Sequence, residues 1–406
     1  MTALIGRTDP PPTPAAGPDA PTPFLSRAVE ALAGPYRSIP VLVTLAIIWL
    51  FFYSQNPRYL SFVNITNLTL QIVTTAVLAL GIVFVLLVGE IDLSSAALSG
   101  VAATIAANLA VNHGWPLWRA IAMAVLVSLA VVLVEAGIVI FGVPSLIVTL
   151  GGMVALQGLL LVVLPETFTV SVGGTDYARI ANGHLPAGAS YLFAFLAWAA
   201  YSGARLRRYL QRRSSAPESV LSVVVPVVVS GVGIFGVVAV LSHGAGLPLP
   251  VLILTVMLLV ASYATTQTRY GVHLFAAGGN REAAQRAGIP VSRMIVYSFL
   301  VLGFCAAVAG ILDAARLLSV SNSSGSGPLM LNAIAAAVVG GTSLFGGRGS
   351  VWAALLGALV IGSINNGVQL LGLSTEVQSF ATGGVLVLAV AVDVVLARGT
   401  IRPPRR

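Results

Sequence analysis

Residues 71–88 read QIVTTAVLALGIVFVLLV, a run with no charged side chain. As a helix rising 1.5 Å per residue it would be about 27 Å long, close to the ~30 Å hydrocarbon core of a bilayer. Runs of this kind recur from residue 38 toward the C-terminus. Of the 406 residues, 57% are hydrophobic, and the mean hydropathy is +0.96. The alternation that marks a membrane-spanning barrel is absent. Backbone in lipid must satisfy its own hydrogen bonds, which leaves the helix. The expected fold class is therefore all-α, a polytopic integral membrane helical bundle of about 10–12 transmembrane helices.

Spans are predicted near 38–54, 71–88, 94–112, 119–141, 145–164, 190–203, 219–242, 249–267, 293–315, 331–345, 351–371 and 379–397. The tenth is short and broken by glycine, as a half-helix would be. All 21 basic residues are arginine. With both termini cytoplasmic, seventeen of them fall on the inner side; only Arg58, Arg119, Arg179 and Arg316 fall outside. Cytoplasmic loops carry the excess of positive charge, so this orientation is the expected one. The net charge of +8 reads as topology, and no nucleic-acid partner is expected. Without lysine the chain has neither a P-loop of its own nor a Schiff-base residue.

Residues 1–37 form a tail rich in proline and alanine, expected to be disordered in the cytoplasm. No signal-peptide pattern precedes the first apolar run. The membrane domain is expected to cover 38–397, with a cytoplasmic loop at 268–292 and a basic tail at 398–406. The outer loops are short apart from 165–189, so for any solute either capture and energy supply need other proteins or the solute moves unaided.

Four stretches could carry function. The first, AAGGNREAAQRAGIP at 276–290, is polar between two apolar runs on the predicted cytoplasmic side. Asn280 suits a helix N-cap, Gly288 a C-terminal stop, and Pro290 follows. Ala283, Ala284 and Ala287 would form a small-residue side between Arg281, Glu282 and Arg286, either for docking into a partner's groove or as a plain solvated connector. The second is VGEIDLSSAALSG, 88–100, where Glu90 and Asp92 interrupt an apolar hairpin. Asp92 or Ser94 could cap the next helix; alternatively, a broken helix lines a solute path. Third, Glu135 lies inside a span, as an ion site or as a packed, hydrogen-bonded group. Fourth, VVGGTSLFGGRGSVWAALLGALVIGSINNGVQLLGLS at 338–374 breaks the backbone with glycine around Thr342 and Ser343, then places Asn365, Asn366 and Gln369 on a span. Neutral amides and hydroxyls suit a neutral polyhydroxylated solute, and they also serve as interhelical glue. The four histidines are scattered, so no metal site is expected, and no catalytic constellation is evident: the chain is not read as an enzyme. The single Cys305 lies in an apolar run.

Three blocks and part of a fourth resemble permease subunits of bacterial ABC importers for monosaccharides, the ribose/xylose/arabinose group. Gly279 to Ile289 looks like that family's cytoplasmic G-N-x-x-A-A-x-x-[SA]-G-I segment. Val338 to Gly349 is similar to its V-x-G-G-T-S-x-x-G-G-x-G block, and VPSLIVTLGGM at 143–153 to its P-[SP]-F-I-V-T-L block. EIDLS partly matches G-I-D-L-S, with Glu90 where glycine is common. The extra length at 165–242, with a helix pair at 190–242, looks more like the xylose-type members. The resemblance implies a bacterial inner-membrane subunit that translocates a monosaccharide, a pentose such as xylose, by alternating access. Asn280, Arg281, Glu282, Ala283, Ala284 and Gly288 would couple to a separate cytoplasmic ABC ATPase, which binds the ATP; this chain would hold no cofactor. An extracytoplasmic sugar-binding protein and a second permease chain would complete the system. Asp92, Ser94, Thr342, Ser343, Asn365, Asn366 and Gln369 are the candidate pathway residues. The competing reading is a secondary transporter using Glu90, Asp92 and Glu135 as ion sites.

Overall fold

The computed structural model describes residues 39–212, 221–241 and 246–400. The expected N-terminal tail, and all of the C-terminal tail beyond residue 400, lie outside the described residues. The described chain is helical: α1 Ile39–Gln55, α2 Phe62–Leu87, α3 Ser95–Val111, α4 Leu117–Ile140, α5 Ser145–Val163, a short α6 Arg179–Asn182, α7 Ala187–Arg212, α8 Leu221–Leu241, α9 Leu249–Gln267, α10 Arg269–Gly279, α11 Arg281–Arg286, α12 Val291–Leu317, α13 Gly327–Val339, α14 Trp352–Leu370 and α15 Thr375–Thr400. A 3-10 turn, Pro57–Leu60, joins α1 to α2. Seven of these helices, α2, α4, α5, α8, α9, α12 and α14, are long and apolar enough to cross a membrane. The chain is a polytopic helical membrane protein. Each of the twelve predicted spans coincides with a helix, and the short tenth is α13.

The centre is α2 and α12, which pack on each other and are enveloped by α3, α4, α13 and α14. The approach is close because small residues face each other. Gly81 of α2 meets Leu302 and Cys305 of α12, and Gly303 of α12 meets Ser128 and Val132 of α4. Close backbone approach is the main packing lever in lipid, where no hydrophobic driving force separates helix from solvent. Cys305 is buried in this seam, as expected of a small core residue. Long apolar side chains on α4, α5, α8 and α15 stay outward, the pattern of a lipid-facing rim. Helices α7 and α8 pack chiefly on each other, with Trp198 Nε1 donating to the Val227 carbonyl at 2.9 Å.

The little strand present ties the 165–189 loop to the rest. Thr169–Ser171 (β1) pairs antiparallel with Ser319–Ser321 (β4), and His184–Leu185 (β2) with Leu247–Pro248 (β3).

Candidate coupling and pathway site

The α2–α3 hairpin is the first part of the site. Helix α2 ends at Leu87, and Gly89 turns the chain at φ +85, in the left-handed region that glycine enters without cost. Asp92 then caps α3. Its Oδ1 accepts from the Ser95 N–H at 2.7 Å, and its Oδ2 from the Ser94 hydroxyl at 2.8 Å. A cap of this kind stabilises a helix by about 1 kcal/mol. The block at 143–153 meets two further backbone donors of the hairpin. Ser145 Oγ accepts from the Ile91 N–H at 3.2 Å, and Thr149 Oγ1 from the Leu93 N–H at 3.1 Å. One turn apart on α5, these hydroxyls satisfy backbone donors that no helix serves.

Glu135 joins from α4. Ser94 Oγ lies 3.1 Å from its Oε2 as well as against Asp92. A hydroxyl has one proton, so it serves one carboxylate at a time. Glu135 Oε1 is buried with no hydrogen-bond partner among the described residues. Gly152 leaves the room that Oε1 occupies; a methyl group there would collide with it. The capping reading of Asp92 is the one its hydrogen bonds match, and the same carboxylate belongs to a buried carboxylate–hydroxyl cluster.

The second part is a glycine junction at the predicted cytoplasmic end. The α13–α14 loop turns through Gly346 (φ +82) and Gly347 (φ +67) and lies against Gly89, Gly278 and Gly279. The Gly347 N–H donates to the Leu87 carbonyl at 3.1 Å. A Cβ on Gly347 would come within 2.6 Å of the Gly279 nitrogen, so backbone touches backbone here. Beside the junction Arg281 Nη1 pairs with Glu90 Oε1 at 3.0 Å; the carboxylate is buried and the arginine half exposed. Hairpin, the 276–290 segment and glycine-rich loop are thus fastened together. Spacing could not reveal the Glu90–Arg281 pair, which joins residues 191 apart in sequence.

Helix α11 has the predicted ends. Asn280 Oδ1 accepts from the Ala283 N–H at 2.9 Å, and Gly288 follows the helix at φ +78. The Ile289 N–H donates to the Ala284 carbonyl at 3.0 Å, closing the last turn. The expected alanine face needs correction. Ala284 points inward, only 4% exposed and packed in the main core, whereas Ala283 and Ala287 are exposed. The helix ends at Arg286, so Ala287 already sits at the C-cap, and Ala284 alone of the three turns into the core. Glu282 and Arg286 pair on the surface at 3.1 Å.

The other candidates separate. Thr342 and Ser343 are buried at the glycine junction; the Ser343 N–H donates to the Arg348 carbonyl at 2.9 Å, and Thr342 Oγ1 has no partner among the described residues. Asn366 is buried between helices, accepting from Asn64 Nδ2 at 2.8 Å and donating to Gln71 at 3.4 Å. Asn365 accepts from Thr382 on α15 at 3.3 Å, and Gln369 is exposed near the end of α14. Sequence reasoning made nothing of Gln157 on α5 or of the loop residues Asn322, Ser324, Gly325 and Ser326, which line a cavity of ≈ 260 Å³. A lone glutamine in the run VALQGLLLVV was the available signal.

Residues 64–390 match the family described as the branched-chain amino acid transport system / permease component. The xylose transport system permease protein XylH of Escherichia coli K12 is 36% identical over 358 residues, 87% of this chain and 91% of that protein. Its Haemophilus influenzae counterpart is 36% identical over 361 residues, 87% of this chain and 95% of that one. The ribose import permease protein RbsC of Haemophilus influenzae is 31% identical over 359 residues, 87% and 91%. No solved structure matches. With four-fifths of its length inside the family match, the chain belongs to this family of transport-system permease components and is a membrane permease subunit, not an enzyme.

Proposed function

We propose that this chain is the membrane-spanning subunit of an ATP-driven importer for a neutral monosaccharide, a pentose of the xylose kind, working by alternating access. The observation that carries the reading is the fastening of α11 to the α2–α3 hairpin through the glycine junction and the Glu90–Arg281 pair. A movement imposed on α11 would reach the buried hairpin through rigid contacts, which is what coupling to a motor requires. The likeness to xylose and ribose permeases supports the sugar class. The ATP sits on a separate cytoplasmic ATPase, a binding protein delivers the sugar from outside, and a second copy of the permease completes the pathway. Helices α7 and α8 are an inserted pair. Asp92, Ser94, Thr342, Ser343, Asn365, Asn366 and Gln369 stay candidates for the path or its gate.

Proteoliposomes holding the permease with its ATPase should take up xylose only with binding protein and ATP. Uptake driven by an ion gradient without the ATPase would overturn the importer. For coupling, Ala283→Trp on α11 and Ala287→Trp at its C-cap, both at exposed positions, should weaken co-purification of the ATPase while membrane insertion stays normal. Both variants retaining full binding would return this face to being a connector. Glu90→Arg should cut transport, and Glu90→Arg with Arg281→Glu should restore part of it.

A second reading, ion-coupled secondary transport, draws on the buried Asp92–Ser94–Glu135 cluster and the unpartnered Glu135 Oε1. Buried carboxylates in membrane helices commonly mark ion or proton routes.

A further inference from the structure

The segment SNSSGSG, residues 321–327, joins β4 to α13 and packs against α3 inside the bundle. At 1.5 Å per residue, Gly100 lies about 16 Å down α3 from its Val111 end, and Ala96 about 22 Å. Ser324 and Gly325 reach that depth. A Cβ on Gly100 would come within 2.8 Å of the Ser324 carbonyl carbon, and one on Gly325 within 2.7 Å of the Gly100 nitrogen. Strand β4 already packs on α3, and residues 322–325 form a turn, with the Ser324 N–H donating to the Ser321 carbonyl at 3.0 Å, that sets Ser324 and Gly325 against Gly100. Helix α13 then starts inside the bundle, with Pro328 in its first turn and no side-chain cap on Ser326.

Non-helical backbone at membrane depth is tolerated where protein covers it or where it lines a watery space. Here it lines the ≈ 260 Å³ cavity, whose walls include Ala97, Gln157, Leu161, Asn322, Ser324 and Ser326. The size falls just under the ~300–1,000 Å³ of sites for drug-sized ligands, as suits one sugar ring. Gln157 is an independent sign. It is exposed on α5 in the neighbourhood of outward-facing Val154 and Leu161, and its amide makes no hydrogen bond to another described residue. An amide left in hydrocarbon without a partner costs about 2–7 kcal/mol, so the Gln157 amide itself calls for something polar within its reach. No ionisable side chain lines the cavity, and nearby Asp313 is paired with Arg316 at 3.1 Å.

We propose that this cavity is a binding site for the neutral polyhydroxylated solute in transit, with Gln157 and Asn322 as its hydrogen-bonding amides and the β4–α13 loop as its floor. The two amides and the serine hydroxyls both give and accept hydrogen bonds, matching sugar hydroxyls without charge. The assignment rests on the sugar-importer reading.

The test uses the full permease with its ATPase and binding protein in proteoliposomes. Gln157→Trp and Asn322→Trp, which fill the cavity, should each lower ATP-driven xylose uptake at least tenfold, with membrane level and co-purified ATPase unchanged. Gln157→Cys and Asn322→Cys should react with a small membrane-impermeant thiol reagent, read against a quiet background because Cys305 is buried. Wild-type uptake in both tryptophan variants would overturn the site. So would thiols that stay unreactive in the resting, ATP-bound and vanadate-trapped states, or a spontaneous disulfide between two copies at position 157, which would make this face a packed interface. Failure of the wild-type assembly to import any sugar would instead count against the importer, a result separable from a normal wild type with indifferent variants.

Discussion

Along α14, Trp49 Nε1 donates to Ser363 Oγ at 2.9 Å, the Tyr59 hydroxyl to the Ser363 carbonyl at 3.0 Å, and Asn64 to Asn366 at 2.8 Å. Around the β4–α13 loop the same kinds of group, the amides of Gln157 and Asn322 and serine hydroxyls, line an open cavity. One set is consumed by its neighbours and holds α1, α2 and α14 together; in the other, Ser324 Oγ accepts from the Ser321 N–H at 3.0 Å, while the Gln157 amide makes no hydrogen bond to another described residue. The difference is one of partners, not of residue type. A polar side chain inside a membrane protein is glue when another helix completes it, and a candidate for traffic when none does. The Asp92–Ser94–Glu135 cluster stands between the two: Asp92 is fully engaged, and Glu135 is half engaged.

The largest effect should come from Asp92→Leu. It removes the acceptor of the Ser95 N–H, whereas the Ser94 hydroxyl can turn to Glu135, and a buried donor left unsatisfied costs about 1–3 kcal/mol. The variant should unfold several degrees earlier in detergent and reach the membrane in reduced amount. Normal stability would mean the cap is dispensable and the cluster is not structural. Next comes Asn366→Leu, which strips the seam of its shared amide. Stability should fall by about 1–2 kcal/mol, the scale of an interhelical hydrogen bond in a membrane. Uptake per folded molecule should hold. A variant as stable as the parent but slow in transport would move Asn366 from glue to path. Gln157→Leu should do the reverse, leaving the unfolding temperature unchanged or slightly raised while uptake falls several-fold.

These contrasts show what the sequence could yield. The helices were legible because each apolar run is long, and because lipid offers the backbone no alternative to the helix. The ends of α11 were legible because a cap is local: Asn280 and Gly288 act on residues three or four away. The facing of Ala284 was not, since its inward turn depends on the packing of α10 to α12. Nor was the fate of Asn366, whose partner Asn64 stands 302 residues earlier. The glycine junction lay between these cases: each glycine pair was visible, but their meeting is a fact of the fold.

Glu135→Gln carries the smallest expected effect and separates the two transport readings. Glutamine keeps the volume and retains an oxygen to face Ser94, so packing against Gly152 survives. It also supplies an N–H₂ that can donate toward Asp92, and it removes one of two carboxylates around a single hydroxyl. Stability should change by less than about 1 kcal/mol, and ATP-driven uptake should stay within about twofold of the parent. In an ion-coupled carrier the same change would abolish accumulation, because the ion's exchangeable charge would be gone. The measurement is initial xylose uptake into proteoliposomes with ATP present, and again with only a proton or sodium gradient. Loss of ATP-driven uptake in a variant that folds and binds its ATPase normally would place the carboxylate in the transport cycle and set Glu135 apart from both the glue of α14 and the open cavity.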